Sequence, residues 1–204
     1  MKLRILVAVL AALHCGSTAS HALDAAIAEA YVGLSLTLPT PARVIVCHGF
    51  GCRLRTEVAL GKGDHAKLAE LLAAGRASPQ AERRAVAVAA AWFDRRVGPA
   101  AGTTGRVARA GVATRQGAGQ MDCIDTSRNV TSLLLVLEQL RLLRHHVVEG
   151  PAARGALIDL RWPHATAVLR ESKSAQQWAV DIWTHKYGEL PDVKPLDEWK
   201  SARE

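Results

Sequence analysis

A run of leucines places the strongest constraint on this chain. Leu133, Leu134, Leu137, Leu140 and Leu142 or Leu143 recur at helical spacing, the mark of a helix that buries a face. Its start is equally well marked. Immediately upstream stands Gly119-Gln120-Met121-Asp122-Cys123-Ile124-Asp125. Asp122 is a natural N-cap, and Asp125, three positions on, is placed to reach back as in a capping box, where Glu or Gln is more usual. Cys123 then falls at the first helical position. Unpaired backbone N–H groups and the positive end of the helix dipole favour a thiolate over a thiol there.

A thiolate becomes useful with a base and a group that orients the base. His164 lies in Trp162-Pro163-His164-Ala165-Thr166-Ala167-Val168-Leu169, and Asp181 in Trp178-Ala179-Val180-Asp181-Ile182-Trp183, two stretches that read as strands. Cys, then His 41 residues on, then Asp 17 beyond that, in the order helix, strand, strand, resembles the transglutaminase-like branch of the papain-type cysteine enzymes. The resemblance covers Gln120 to Trp183, about a third of the chain. It implies an α+β fold with a papain/transglutaminase-like core: helices packed on an antiparallel β-sheet, with the nucleophile at the N-terminus of a central helix. It also implies a Cys123–His164–Asp181 triad, no cofactor, and a peptide or protein substrate. Enzymes of the papain type use an upstream Gln in the oxyanion hole, so Gln120 is a candidate there.

The first 22 residues read as an export signal. Lys2 and Arg4 form a basic start, Ile5 to Leu13 a short apolar core, and Ser20-His21-Ala22 a small-x-small cleavage site. That core is too short to span a bilayer, and no later stretch is apolar enough to do so. The remainder, residues 23–204, has the length of one domain with a substantial core. Loss of Lys2 and Arg4 lowers the formal charge from +7 to +5. The arginines are scattered rather than gathered into a stripe with aromatics, which argues against a nucleic-acid partner. Nothing in the sequence sets an oligomeric state.

Cys15 leaves with the signal, so Cys47, Cys52 and Cys123 remain. An odd count in an oxidising compartment leaves one thiol unpaired or pairs it between molecules. Three intrachain pairings are possible. Only Cys47 with Cys52 is local and leaves the helix-start thiol free; the glycines of Cys47-His48-Gly49-Phe50-Gly51-Cys52 permit the positive φ angles of a tight turn. The competing reading is a metal site on Cys47, His48 and Cys52, although that spacing is not a usual zinc pattern and no second ligand pair follows.

Further expectations fill in the chain. Ala25 to Leu36 reads as a helix, and Arg43–Val46 with Arg53–Leu60 as a hairpin around the cysteine turn. Asp64 should cap a helix through Ala73 that stops at Gly75, and Ser78-Pro79 should open a longer one to Val97. Arg83-Arg84 and Arg95-Arg96 read as solvated pairs. Residues 98–119 carry six glycines and no apolar period, so they read as a mobile wall or lid bordering Cys123. Adjacent His145 and His146 point to opposite faces of a strand, one packed and one exposed, before a Gly-Pro turn. Ala156–Leu160 reads as a short strand, Ser172–Gln177 as a polar hairpin connection, and the stretch from Tyr187 to Trp199 as an extended wrap.

These features point to an exported, periplasmic or secreted acyl-transfer enzyme. Cys123 would attack an amide carbonyl, His164 would protonate the leaving amine, and Asp181 would orient His164. Water as acceptor gives a peptidase or amidase, and an amine acceptor gives a protein-crosslinking transglutaminase. Other readings are a cell-wall peptide hydrolase and a catalytically inactive envelope binding domain.

Overall fold

The computed structural model describes residues 25–114, 117–155 and 163–202. The expected export signal and the strand expected at Ala156–Leu160 lie outside these. Helix α1 (Ala25–Val32) precedes a hairpin of β1 (Arg43–His48) and β2 (Leu54–Ala59). Helices α2 (Lys62–Ala73) and α3 (Pro79–Ala101) follow, joined by a short 3-10 turn at Ala74–Ala77. A loop then leads to α4 (Cys123–Gln139). The second sheet is an antiparallel meander of β3 (His146–Arg154), β4 (His164–Glu171), β5 (Gln177–Asp181) and β6 (Asp192–Pro195), closed by α5 (Leu196–Ser201). The fold is therefore α+β, with helices packed on antiparallel sheets.

Helix α4 is the centre. It packs against β3, β4 and β5 on one side and against β1 on the other. Leu133, Leu134 and Leu137 are fully enclosed, beside Val44 and Val46 of β1 and Ala167 and Leu169 of β4. Enclosure on two sides explains why almost every residue of α4 from Asp125 to Leu137 is buried, polar ones included. The hydroxyl groups of Thr126, Ser127 and Thr131 donate to helix carbonyls, and Ser132 pairs with the Tyr31 hydroxyl of α1 at 2.6 Å. The opposite face of the meander, carrying Val168 and Ala179, is covered by Leu196 and Trp199 of α5.

Several elements differ from the sequence reading, each for a local reason. Gly61, not Asp64, caps α2; Asp64 sits at the third helical position and accepts from the Gly61 N–H at 2.8 Å. Helix α3 passes Val97 and Pro99 and ends at Gly102, whose φ of 68° suits a glycine stop. Gly150 and Pro151 make no turn. They lie inside β3 at a register shift between Glu149 and Ala152, where a proline's missing N–H is tolerated. The C-terminal wrap contains a paired strand, β6, and then α5.

The arginine pairs are not idle surface either. Arg83 lies 3.6 Å over the Trp178 ring and bonds Glu171 at 3.0 Å, and Arg96 grips both carboxylate oxygens of Asp64. Next to Arg83, Glu82 is buried on α3 and accepts from the backbone N–H groups of Arg144 and His145 and from His146 Nδ1 at 2.8 Å. His146, the first residue of β3, is buried, whereas His145 stands just before the strand, half-buried, with its ring 3.1 Å from the Arg76 carbonyl. Burial opposes the charge of Glu82, but the His146 and backbone bonds outweigh it and hold the carboxyl below its usual range. A carboxyl lowered in the folded state adds stability above its unfolded pKa, and that contribution is lost as pH falls through the folded value. Glu82→Gln should therefore cost about 2 kcal/mol at pH 7, with the gap to wild type closing in acid. Urea unfolding at pH 7 and pH 3 checks this; an equal cost at both values contradicts it.

Candidate active site

The site begins with the cap of α4. The Asp122 carboxylate accepts from the Asp125 N–H at 2.9 Å, and the Asp125 carboxylate returns the bond to the Asp122 N–H at 3.2 Å. This is the capping box expected from the sequence, and it fixes Cys123 as the first helical residue. Both carboxylates also hold the cysteine turn. Asp125 accepts from Phe50 N–H at 2.8 Å and Cys52 N–H at 2.6 Å, and Asp122 from Gly51 N–H at 2.9 Å. Asn129 bonds the N–H and the carbonyl of Cys47.

Cys47 and Cys52 form a disulfide, and Cys123 is the free cysteine among the described residues. Both disulfide sulfurs are thus spent, and the His48 ring lies between Ala118 O and the Thr56 hydroxyl. The metal reading of this turn fails on that geometry, and among the described residues no other cluster of acidic, His or Cys side chains could hold an ion. The turn runs through four successive positive φ angles, at Gly49, Phe50, Gly51 and Cys52. Phe50 and Cys52 are strained there, by about 1 kcal/mol each, and the two aspartates hold them in place.

His164 and Asp181 come together on neighbouring strands. His164 Nε2 bonds Asp181 Oδ2 at 2.5 Å, with both side chains buried. Asp181 is well supplied with donors: the Trp199 indole N–H reaches Oδ2 at 2.9 Å and the Trp183 backbone N–H reaches Oδ1 at 3.1 Å. Burial works against its charge, but the His164 contact and these N–H groups hold the carboxyl below its usual range. The imidazole is packed between Trp183, at 4.6 Å between ring centres, and Trp199, at 5.2 Å. Its other nitrogen, Nδ1, is buried and has no hydrogen-bond partner among the described residues.

Cys123, at the start of α4, reaches the backbone beside His164. Its sulfur lies 3.9 Å from the Pro163 carbonyl and is also approached by the Ala165 N–H. The two backbone groups that flank His164 in sequence are therefore the two that touch the thiol. The expected thiolate is not what this environment favours. Burial comes first, and the charges of Asp122 and Asp181 add to it; together they outweigh the Ala165 and Cys123 N–H groups and push the thiol up to about 11. Desolvation disfavours the charged form more than one helix start favours it.

The loop before α4 borders the site through Trp183. Arg109 N–H donates to Trp183 O at 2.8 Å, and the Trp183 indole N–H to Ala110 O at 3.3 Å. The loop is also anchored: Arg106, itself buried, bonds Asp94 at 2.7 Å and the carbonyl of His185. Gln120 contributes to the anchoring. Its side-chain carbonyl accepts from Val107 N–H at 3.0 Å and its amide donates to Gly105 O at 3.1 Å. In this arrangement the Gln120 amide serves the loop, and the N–H groups of Cys123 and Ala165 are the donors at the thiol.

Trp183 and Trp199 were not legible as site residues. Trp183 had a faint signal in standing two positions beyond Asp181, the spacing that keeps residues on one face of a strand; Trp199 had none. Comparison of the chain with protein-family models, with curated proteins and with solved structures finds no match. The raised thiol has a measurable consequence. Alkylation of resting Cys123 by iodoacetamide should be slow at pH 7 and climb toward a midpoint near pH 11. A plateau already reached at pH 6 would contradict the burial argument.

Proposed function

We propose that this chain is a thiol-dependent acyl-transfer enzyme of the transglutaminase-like, papain-type kind that hydrolyses peptide or amide bonds through Cys123, His164 and Asp181. The observation that carries the reading is the convergence at His164. The Cys123 sulfur touches the backbone on either side of it, Nε2 is committed to Asp181, and Nδ1 has no hydrogen-bond partner among the described residues. One nitrogen is thus fixed by a carboxylate and the other is available for a proton, which is what a general base needs.

The raised thiol selects the order of events. Cys123 rests as S–H, and His164 Nδ1 takes its proton as the sulfur attacks the substrate carbonyl. Asp181 stabilises the imidazolium so formed. Charge on the carbonyl oxygen is received by the Cys123 N–H at the start of α4. The imidazolium then protonates the leaving amine, and a thioester remains on Cys123. His164 next takes a proton from water, whose oxygen attacks the thioester; the acid is released and the thiol restored. The site needs no metal or cofactor for these steps. The disulfide, and a chain whose described helices include none long and apolar enough to cross a membrane, support action after export, in the periplasm or outside the cell.

Profiling the mature chain on a proteome-derived peptide mixture should reveal new amino termini. They should vanish in Cys123→Ala and fall at least about 100-fold in His164→Ala. Incorporation of a fluorescent primary amine without new amino termini would replace hydrolysis by crosslinking. Turnover undiminished in Cys123→Ala would remove the acyl-transfer reading.

A further inference from the structure

Four separate elements meet at one indole. Trp199 of α5 donates its N–H to Asp181 Oδ2 of β5 and lays its ring against His164 of β4. Arg154 of β3, the register partner of His164, lies 4.5 Å over the same indole and donates to the Trp199 backbone carbonyl. Trp199 is among the largest fully buried side chains of the chain, yet it sits in a six-residue helix at the C-terminal end. A side chain that only filled space there would not need its one polar atom aimed at the carboxylate that binds His164.

We infer that Trp199 is a positioning residue of the Cys123–His164–Asp181 site, and that the C-terminal strand and helix β6–α5 serve as a clamp that completes it. The inference rests on the acyl-transfer reading above for its effect on turnover, but the clamp itself is a structural relation that can be read without turnover. Physically, the indole does two things. Its N–H fixes which lone pair of Asp181 Oδ2 remains for His164, and so fixes the imidazole's orientation. Its ring keeps water away from the His164–Asp181 hydrogen bond, which strengthens that bond. Arg154 in turn sets the indole by gripping its carbonyl and stacking on its face.

The neighbours of Asp181 define what should change with pH. They are His164 on β4, Cys123 on α4 and Arg154 behind the indole. The Trp199 N–H is one of the contacts that hold the Asp181 carboxyl low. Its removal should raise the pH at which Asp181 takes up a proton. The acid side of the kcat/KM profile should then move toward higher pH.

The test compares wild type with Trp199→Phe, which keeps an aromatic ring and loses the N–H. An ¹H–¹⁵N correlation spectrum identifies the Trp199 indole signal as the one missing from Trp199→Phe. In wild type that proton should exchange slowly with solvent and shift on acidification, at a pH altered by His164→Ala. Rapid exchange, or no shift through acid, overturns the clamp whatever the enzyme does. In turnover, Trp199→Phe should lose about ten-fold in kcat at unchanged KM, with the acid limb moved upward. A wild-type kcat and pH profile in Trp199→Phe overturns the positioning role. If the indole proton behaves as expected while Cys123→Ala keeps full turnover, the clamp stands and the acyl-transfer reading falls.

Discussion

The Asp125 carboxylate, enclosed between α4 and the cysteine turn, is the contact on which the site depends. It receives N–H groups from Phe50, Cys52 and Asp122. In that one contact it closes the capping box of α4, docks the Cys47–Cys52 turn and holds two residues in left-handed backbone. Burial and the neighbouring Asp122 charge raise the carboxyl to about 7 despite those donors. Such a site is costly to build: a buried carboxylate in a strained turn is stable only because the surrounding structure over-determines it. The disulfide and the Asn129 bonds to Cys47 supply that over-determination. The result is a helix start that cannot drift relative to β1, and a thiol fixed at its first residue.

From that fixed point the remainder of the site follows through the sheet. Helix α4 lies on β3, β4 and β5, so a thiol at its N-terminus reaches the beginning of β4, where His164 stands. Asp181 ends the adjacent strand, and α5 covers both from the far face. The imidazole is therefore held by packing on two indoles and by one carboxylate, while the sulfur is held by a cap. Cys123 and His164 belong to different rigid elements that share one core, an arrangement that preserves their relative placement without a flexible tether.

The parts of this site that were legible in the sequence are the ones decided locally. A capping box depends on residues three apart, so Asp122 and Asp125 fixed the place of Cys123 before any tertiary contact was known. The Cys47–Cys52 pairing depends on five residues of separation. Alternation placed His164 and Asp181 on strands. What depended on contacts between distant segments stayed hidden. Trp199 meets Asp181 only because β6 pairs with β5 and returns α5 over the sheet. Arg106 pairs with Asp94 only because the glycine-rich loop folds back on α3. The protonation of Cys123 was misread for the same reason: the helix start is visible in sequence, and the burial that outweighs it is not.

The proposed acyl transfer by a half-buried, neutral thiol has a definite signature in its first half-reaction. Mixing the mature chain with an activated peptide ester, quenching in acid and weighing the intact protein measures it directly. The account predicts a single acyl mass carried on Cys123, forming at a rate that falls at least about 100-fold in His164→Ala. Acylation at another residue, or acylation of Cys123 as fast in His164→Ala as in wild type, would contradict it.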